Sequence, residues 1–94
     1  MQNIYRKENI SYNYLNNYVK FSLRGNTVYL YNTIYDKEVI LKGESTYLID
    51  FLENSIRGID NKKLLNILGN ISDKPVELYE YLLQNFIIEW GIIW

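Results

Sequence analysis

The chain contains no His and no Cys among its 94 residues. Thiolate nucleophiles, zinc–thiolate sites, disulfides and imidazole proton transfer are therefore all excluded. General acid–base work would fall to Asp, Glu, Lys or Tyr. No pair of carboxylates stands in an apolar setting that would separate their roles. The Asp36-Lys37-Glu38 run reads as a charged turn. The expectation is a protein that is not an enzyme, with no catalytic residues, no metal ligands and no cofactor. The spacings that remain informative are those of apolar residues. At about 100° per residue, Val76, Tyr79, Leu83, Ile87 and Trp90 fall on one side of a helix, and Leu78, Tyr81, Leu82 and Asn85 on a neighbouring side. Phe86 lies between them. Only Glu77, Glu80 and Gln84 form a polar strip. The apolar arc is near 200°, where a surface helix usually shows somewhat over 100°. Half of such an arc can join a core while the other half lines a groove.

A second wall for that groove comes from Glu38 to Lys42. Val39 and Leu41 face one way and Ile40 the other, the period of a half-buried strand. An exposed strand edge carries unpaired N–H and C=O groups to which an extended peptide adds as a further strand. Side chains of that peptide would drop between the strand and the helix. Glu38, Lys42 and Asn85 would fix its register through their polar groups.

The elements that must position these walls follow from patterning. Met1 to Asn17 is rich in Asn and Tyr without a clear period, and reads as an extended or partly ordered lead-in. Residues 18–23 alternate with Val19, Phe21 and Leu23 on one side. Arg24-Gly25-Asn26 marks a turn. Residues 28–32 form a second strand and 38–42 a third, and short links make the three an antiparallel meander. Gly43 breaks the pattern. Residues 44–54 carry Tyr47, Leu48, Phe51 and Leu52 at helical spacing. Residues 56–59 form a loop hinged at Gly58. Asp60 is an N-cap for a second helix over 61–68, which Gly69 and Asn70 stop. Ser72 or Asp73 caps a third helix with Pro75 in its first turn, running to about Trp90. Residues 92–94 read as an apolar tail or short final strand. The expected organisation is a lead-in over 1–17 and one domain over 18–94.

Composition narrows the function classes. Apolar residues make up 48% of the chain and aromatic residues 16%, ten of them Tyr, and the net charge is −1. This is a globular composition without the basic excess of a nucleic-acid binder. No segment reads as a signal peptide, and apolar runs fall short of the ~20 residues that span a bilayer. A cytoplasmic setting is expected, with neither membrane nor nucleic acid as partner.

The stretch from Val28 to Leu52, VYLYNTIYDKEVILKGESTYLIDFL, resembles the centre of the PqqD-like fold, where a strand, a turn and a second strand run directly into a helix. The short helix IDNKKLLNIL follows. A longer helix leads to Gly91-Ile92-Ile93, an apolar-x-x-x-Gly-apolar-apolar ending that begins at Ile87. The resemblance covers about residues 18 to 93. The Lys42-Gly43 junction departs from the Asn-Pro of many relatives. The resemblance implies an α+β, winged-helix-like fold: a three-stranded antiparallel sheet packed on three helices. It also implies a function, since such domains are precursor recognition elements of ribosomally made, post-translationally modified peptides (RiPPs). They hold the precursor's leader against strand three and helix three and present it to a tailoring enzyme or leader peptidase, as in lasso peptide and related natural product biosynthesis. On this chain that cleft maps onto Glu38, Val39, Ile40, Leu41 and Lys42 and onto Leu78, Tyr81, Leu82 and Asn85. Both a stand-alone peptide chaperone and the first domain of a larger enzyme fit the resemblance. A self-associating interaction module and a winged-helix DNA regulator are the alternatives. Against the latter, no basic residue follows Lys74, while Glu77, Glu80 and Glu89 do. Proline at Val39, Ile40 or Leu41 is expected to abolish peptide binding, and Leu82→Asp to weaken it.

Overall fold

The computed structural model describes residues 10–93. Its elements are β1 (Ile10–Leu15), β2 (Val19–Arg24), β3 (Thr27–Asn32), β4 (Lys37–Lys42), α1 (Ser45–Arg57), β5 (Ile59–Asp60), α2 (Asn61–Gly69), α3 (Pro75–Gln84) and β6 (Ile88–Ile93). The class is α+β. The expected meander is present as a sheet of order β2-β3-β4, antiparallel throughout. Gly25-Asn26 closes its first hairpin opposite the Arg24–Thr27 pair, with Gly25 at φ 59°. Asn32 begins the second turn. Its side-chain oxygen accepts from the N–H groups of Ile34 and Tyr35 at 2.9 and 3.0 Å.

A second three-stranded sheet, order β5-β1-β6, was not expected. β1 lies antiparallel between its partners, with Ile10 opposite Ile93 and Asn13 opposite both Trp90 and Ile59. The domain boundary drawn at residue 18 therefore falls inside the packed body, and the lead-in from residue 10 is a central strand. Residues 1–9 of that lead-in, and Trp94 of the tail, lie outside the described residues.

The pattern in β1 escapes detection because its inward position is polar. Asn13 is fully buried. Its amide NH2 reaches the Asn61 Oδ1 at 3.3 Å and the Ile59 carbonyl at 3.5 Å, and its oxygen accepts from the Tyr79 hydroxyl at 2.8 Å. These bonds offset the desolvation of the amide and tie β1 to β5, α2 and α3. Tyr14 of the same strand lies against Gly58, where a Cβ would run into the tyrosine ring and where φ is +100°. Glycine is required there on both counts.

The core draws on both sheets and all three described helices. Val28, Leu30, Val39 and Leu41 meet Leu48, Phe51, Leu64, Leu68, Leu82, Ile87 and Ile88. α1 presents Leu48, Phe51 and Leu52 as its spacing requires. Asp60 caps α2, accepting from the Lys63 N–H at 2.9 Å. α3 opens with Pro75 at its first turn after Lys74, whose N–H donates to the Ser72 Oγ at 3.0 Å; neither Ser72 nor Asp73 is itself the cap.

The third helix is shorter than its apolar period suggests. It ends at Gln84, with Phe86 in the left-handed region at φ 58°. The N–H of Phe86 donates to the Leu83 carbonyl and that of Ile87 to the Leu82 carbonyl, both at 3.0 Å. This is the paired-bond helix ending usually built on glycine. A bulky residue held there costs about 1–2 kcal/mol. Two contacts hold it: the Phe86 carbonyl accepts from the buried Asn32 side chain at 2.7 Å, and its ring stacks on Tyr35 at a centroid distance of 4.1 Å. Ile87 and Trp90 thus lie beyond the helix, Trp90 in β6.

Candidate functional site

β4 is the outermost strand of its sheet, with β3 on one side and no strand on the other among the described residues. Which of its backbone groups point outward follows from register. A two-residue hairpin makes Arg24–Thr27 a hydrogen-bonded pair, so Thr27, Tyr29 and Tyr31 direct their amides toward β2. Val28, Leu30 and Asn32 then bond to their partners Leu41, Val39 and Lys37. The Gly43 N–H, donating to the Asn26 carbonyl at 3.0 Å, continues that series. What is left over is the outward set: the N–H and C=O groups of Glu38, Ile40 and Lys42.

The side chains of the strand divide as expected. Val39 and Leu41 are buried, and Glu38, Ile40 and Lys42 are exposed. This corrects one expectation. Proline at Val39 or Leu41 would remove an N–H that joins β4 to β3, so only Ile40 tests the outer edge separately from the sheet.

The segments that flank α3 approach the two ends of β4. Near the strand's end, Gly43 faces Ile71 of the α2–α3 connection, a Cβ at Gly43 standing 3.8 Å from the Ile71 Cγ2. Near its beginning, Asn32 and Tyr35 of the β3–β4 turn hold Phe86, just past the helix. The helix therefore runs from the Gly43 end of the strand to its Lys37 end. An open depression of about 460 Å³ lies along it, lined by Ser72, Lys74, Glu77, Leu78, Glu80, Tyr81 and Gln84. No β4 residue lines this depression.

The four helix residues expected in the site separate. Tyr81 is 47% exposed and Leu78 half-buried, and both line the depression. Leu82 is fully buried in the core. A side chain packed in the core with Val39, Leu41 and Leu48 is not on the wall of an open cleft, where it was expected. Asn85 is committed locally: its amide NH2 donates to the Tyr81 carbonyl at 2.9 Å, and that carbonyl also receives the Asn85 backbone N–H. It caps its own helix, and its NH2 has this partner already.

Sequence reasoning missed Asn32, Tyr35 and the αL conformation of Phe86, which together close the Lys37 end of the site. The one available signal was Asn32 itself, a turn-forming residue at a strand end. At the same turn the Tyr31 hydroxyl donates to the Asp36 carboxylate at 2.6 Å. That bond, with lesser contributions from desolvation and the charges of Asp36 and Glu38, raises the Tyr31 pKa. Among the described residues no three His, Cys, Asp or Glu side chains converge as metal ligands, and no helix is long and apolar enough to cross a membrane. Comparisons of the chain with protein-family models, with curated proteins and with solved structures each return no match.

Proposed function

We propose that this domain captures an extended peptide by strand addition at β4, beside α3, in the manner of the PqqD-like precursor recognition elements it resembles. The ligand on this reading is the leader of a ribosomally made precursor, which the domain presents to a tailoring enzyme or leader peptidase. One observation supports the reading: the outward amides of Glu38, Ile40 and Lys42 lie at a sheet edge whose two ends are approached by the segments flanking α3. Backbone bonds to those residues supply affinity, and alternate side chains of the guest reach toward Leu78 and Tyr81 and supply selectivity.

The test is a titration of the isotope-labelled chain with an extended peptide bearing apolar residues at alternate positions. A dissociation constant in the micromolar range or tighter, about −8 kcal/mol, is expected. The amides of Glu38, Ile40 and Lys42 should become protected from exchange, and Ile40→Pro should abolish binding. Amide shifts confined to α1 or α2, with β4 untouched, would overturn the proposal. Sedimentation at the same concentrations reports whether the chain binds as a monomer or instead pairs with itself.

A further inference from the structure

The outer face of the β2-β3-β4 sheet is a second surface, and its organisation is set by register. Across the three strands the side chains form three rows: Lys20, Tyr31 and Glu38; Ser22, Tyr29 and Ile40; Arg24, Thr27 and Lys42. Tyr29 is 40% exposed, Tyr31 39% and Ile40 48%. The middle of the face is therefore apolar and aromatic, on the side opposite the core.

Charge is distributed unevenly over it. Arg24 and Lys42 stand together at the Gly25-Asn26 end. Lys20 is offset at the other end by Glu38, and Asp36 is drawn onto the face there by the Tyr31 hydroxyl. The one ion pair among the described residues is Lys63–Asp60, so neither Arg24 nor Lys42 has a carboxylate at pairing distance among them. A surface that places Tyr and Arg around an apolar centre has the composition of an interface core and its rim.

We propose that this face docks an amphipathic helix of a protein partner, with its apolar stripe on Tyr29, Tyr31 and Ile40 and carboxylates of its C-terminal turns over Arg24 and Lys42. The dimensions agree. Three strands span about 10 Å between their outer axes, the width of one helix with its side chains. The carboxylates complement both Arg24 and Lys42. A C-terminal placement also sets the negative end of the helix dipole over these cations. A single-stranded nucleic acid fits less well. Its phosphates would need cations along the whole face, and one end of this face carries Glu38 and Asp36.

The inference does not depend on strand addition, which uses the backbone edge of β4, whereas docking uses outward side chains. The test uses the full chain and three synthetic probes. The first is a Leu- and Ala-rich helical peptide of about 18 residues, roughly 27 Å long, with Glu in its last two turns. The second is the same peptide with Gln replacing Glu, and the third is an oligouridylate of about 12 nucleotides. The acidic peptide should shift the Tyr29 and Tyr31 ring and Ile40 methyl resonances, and bind about tenfold more tightly than the Gln peptide. The double variant Arg24→Glu, Lys42→Glu should lose about that factor for the acidic peptide while keeping the wild-type unfolding midpoint. Equal binding of the two peptides, or shifts on α3 in place of the sheet face, would refute the proposal, as would binding of the oligouridylate alone. The extended apolar peptide is titrated separately. If it fails while the acidic helix binds, strand addition falls and this surface stands. The reverse pattern removes this surface alone.

Discussion

Tyr79 and Asn13 show how one buried polar contact can decide the ordering of a strand. The hydroxyl of Tyr79 is a partner of the Asn13 oxygen, and Asn13 is the inward residue of β1. Tyr79→Phe leaves that oxygen desolvated without its donor. A loss of about 1–3 kcal/mol is expected, read from the urea midpoint. The same residue gives a pH dependence. Burial raises its pKa above the ordinary 10.0, so the folded state holds the proton more tightly than the unfolded state. The stability contributed is complete below pH 10 and falls as pH rises through the folded-state value. Tyr79→Phe should flatten the alkaline decline; an unchanged slope would assign that decline to other groups. On α3 the neighbours Tyr81 and Leu82 separate binding from folding. On the strand-addition reading, Tyr81→Ala should weaken peptide binding by about fivefold, at the ~1 kcal/mol level expected for a contributing aromatic, with the thermal midpoint unchanged. Leu82→Asp should cost at least about 4 kcal/mol of stability, visible as loss of the cooperative unfolding transition.

Proline distinguishes the two sides of β4 at the level of the element. Ile40→Pro should leave the far-ultraviolet circular dichroism and unfolding midpoint close to wild type, because its N–H points away from the sheet. Val39→Pro should lower stability by about 3 kcal/mol or more, since it deletes a bond to Leu30. Similar stabilities for the two variants would show the register argument to be wrong. The meander, α1 and α2 were legible in the sequence because their side chains follow the period of their backbone: Val28 and Leu30 at two, Leu48, Phe51 and Leu52 at three to four. The exposed strand and its division into Val39 and Leu41 against Ile40 were legible for the same reason. The end of α3 was not. The apolar period continues through Ile87 and Trp90, and no glycine marks the stop. Asn32, more than 50 residues away, fixes Phe86 by a tertiary hydrogen bond that overrides local preference. β1 was hidden by an inverted pattern, in which the inward residue is Asn and the flanking residues, Tyr12 and Tyr14, are aromatic. Its strand character depends on partners found in β5, β6 and α3.

The molecule as a whole is held together by pairing its first and last described strands. β1 supplies the central strand of the second sheet, and without it neither β5 nor β6 has a ladder partner. A chain beginning at residue 17 should lose the pairing of β6 and expose Ile59 and Ile88, which are 4% and 2% exposed in the intact fold. The expected result is a broadened, less cooperative thermal transition and dye binding at temperatures where the full chain has none. A sharp transition at the original midpoint would show that the three-helix body and the meander suffice. That outcome would restore the boundary at residue 18. The two sheets therefore divide their tasks. One offers an outer edge and an outer face; the other closes the fold.

The antiparallel pairing of Ile10 with Ile93 also determines how the domain responds to tension. A pull applied through these two strand ends meets the β1–β6 ladder at its open extremity, so the load falls on one rung at a time and never on all rungs in shear. Stretched between a bead and a surface, the domain should part gradually and at low force, like a zip drawn from its slider.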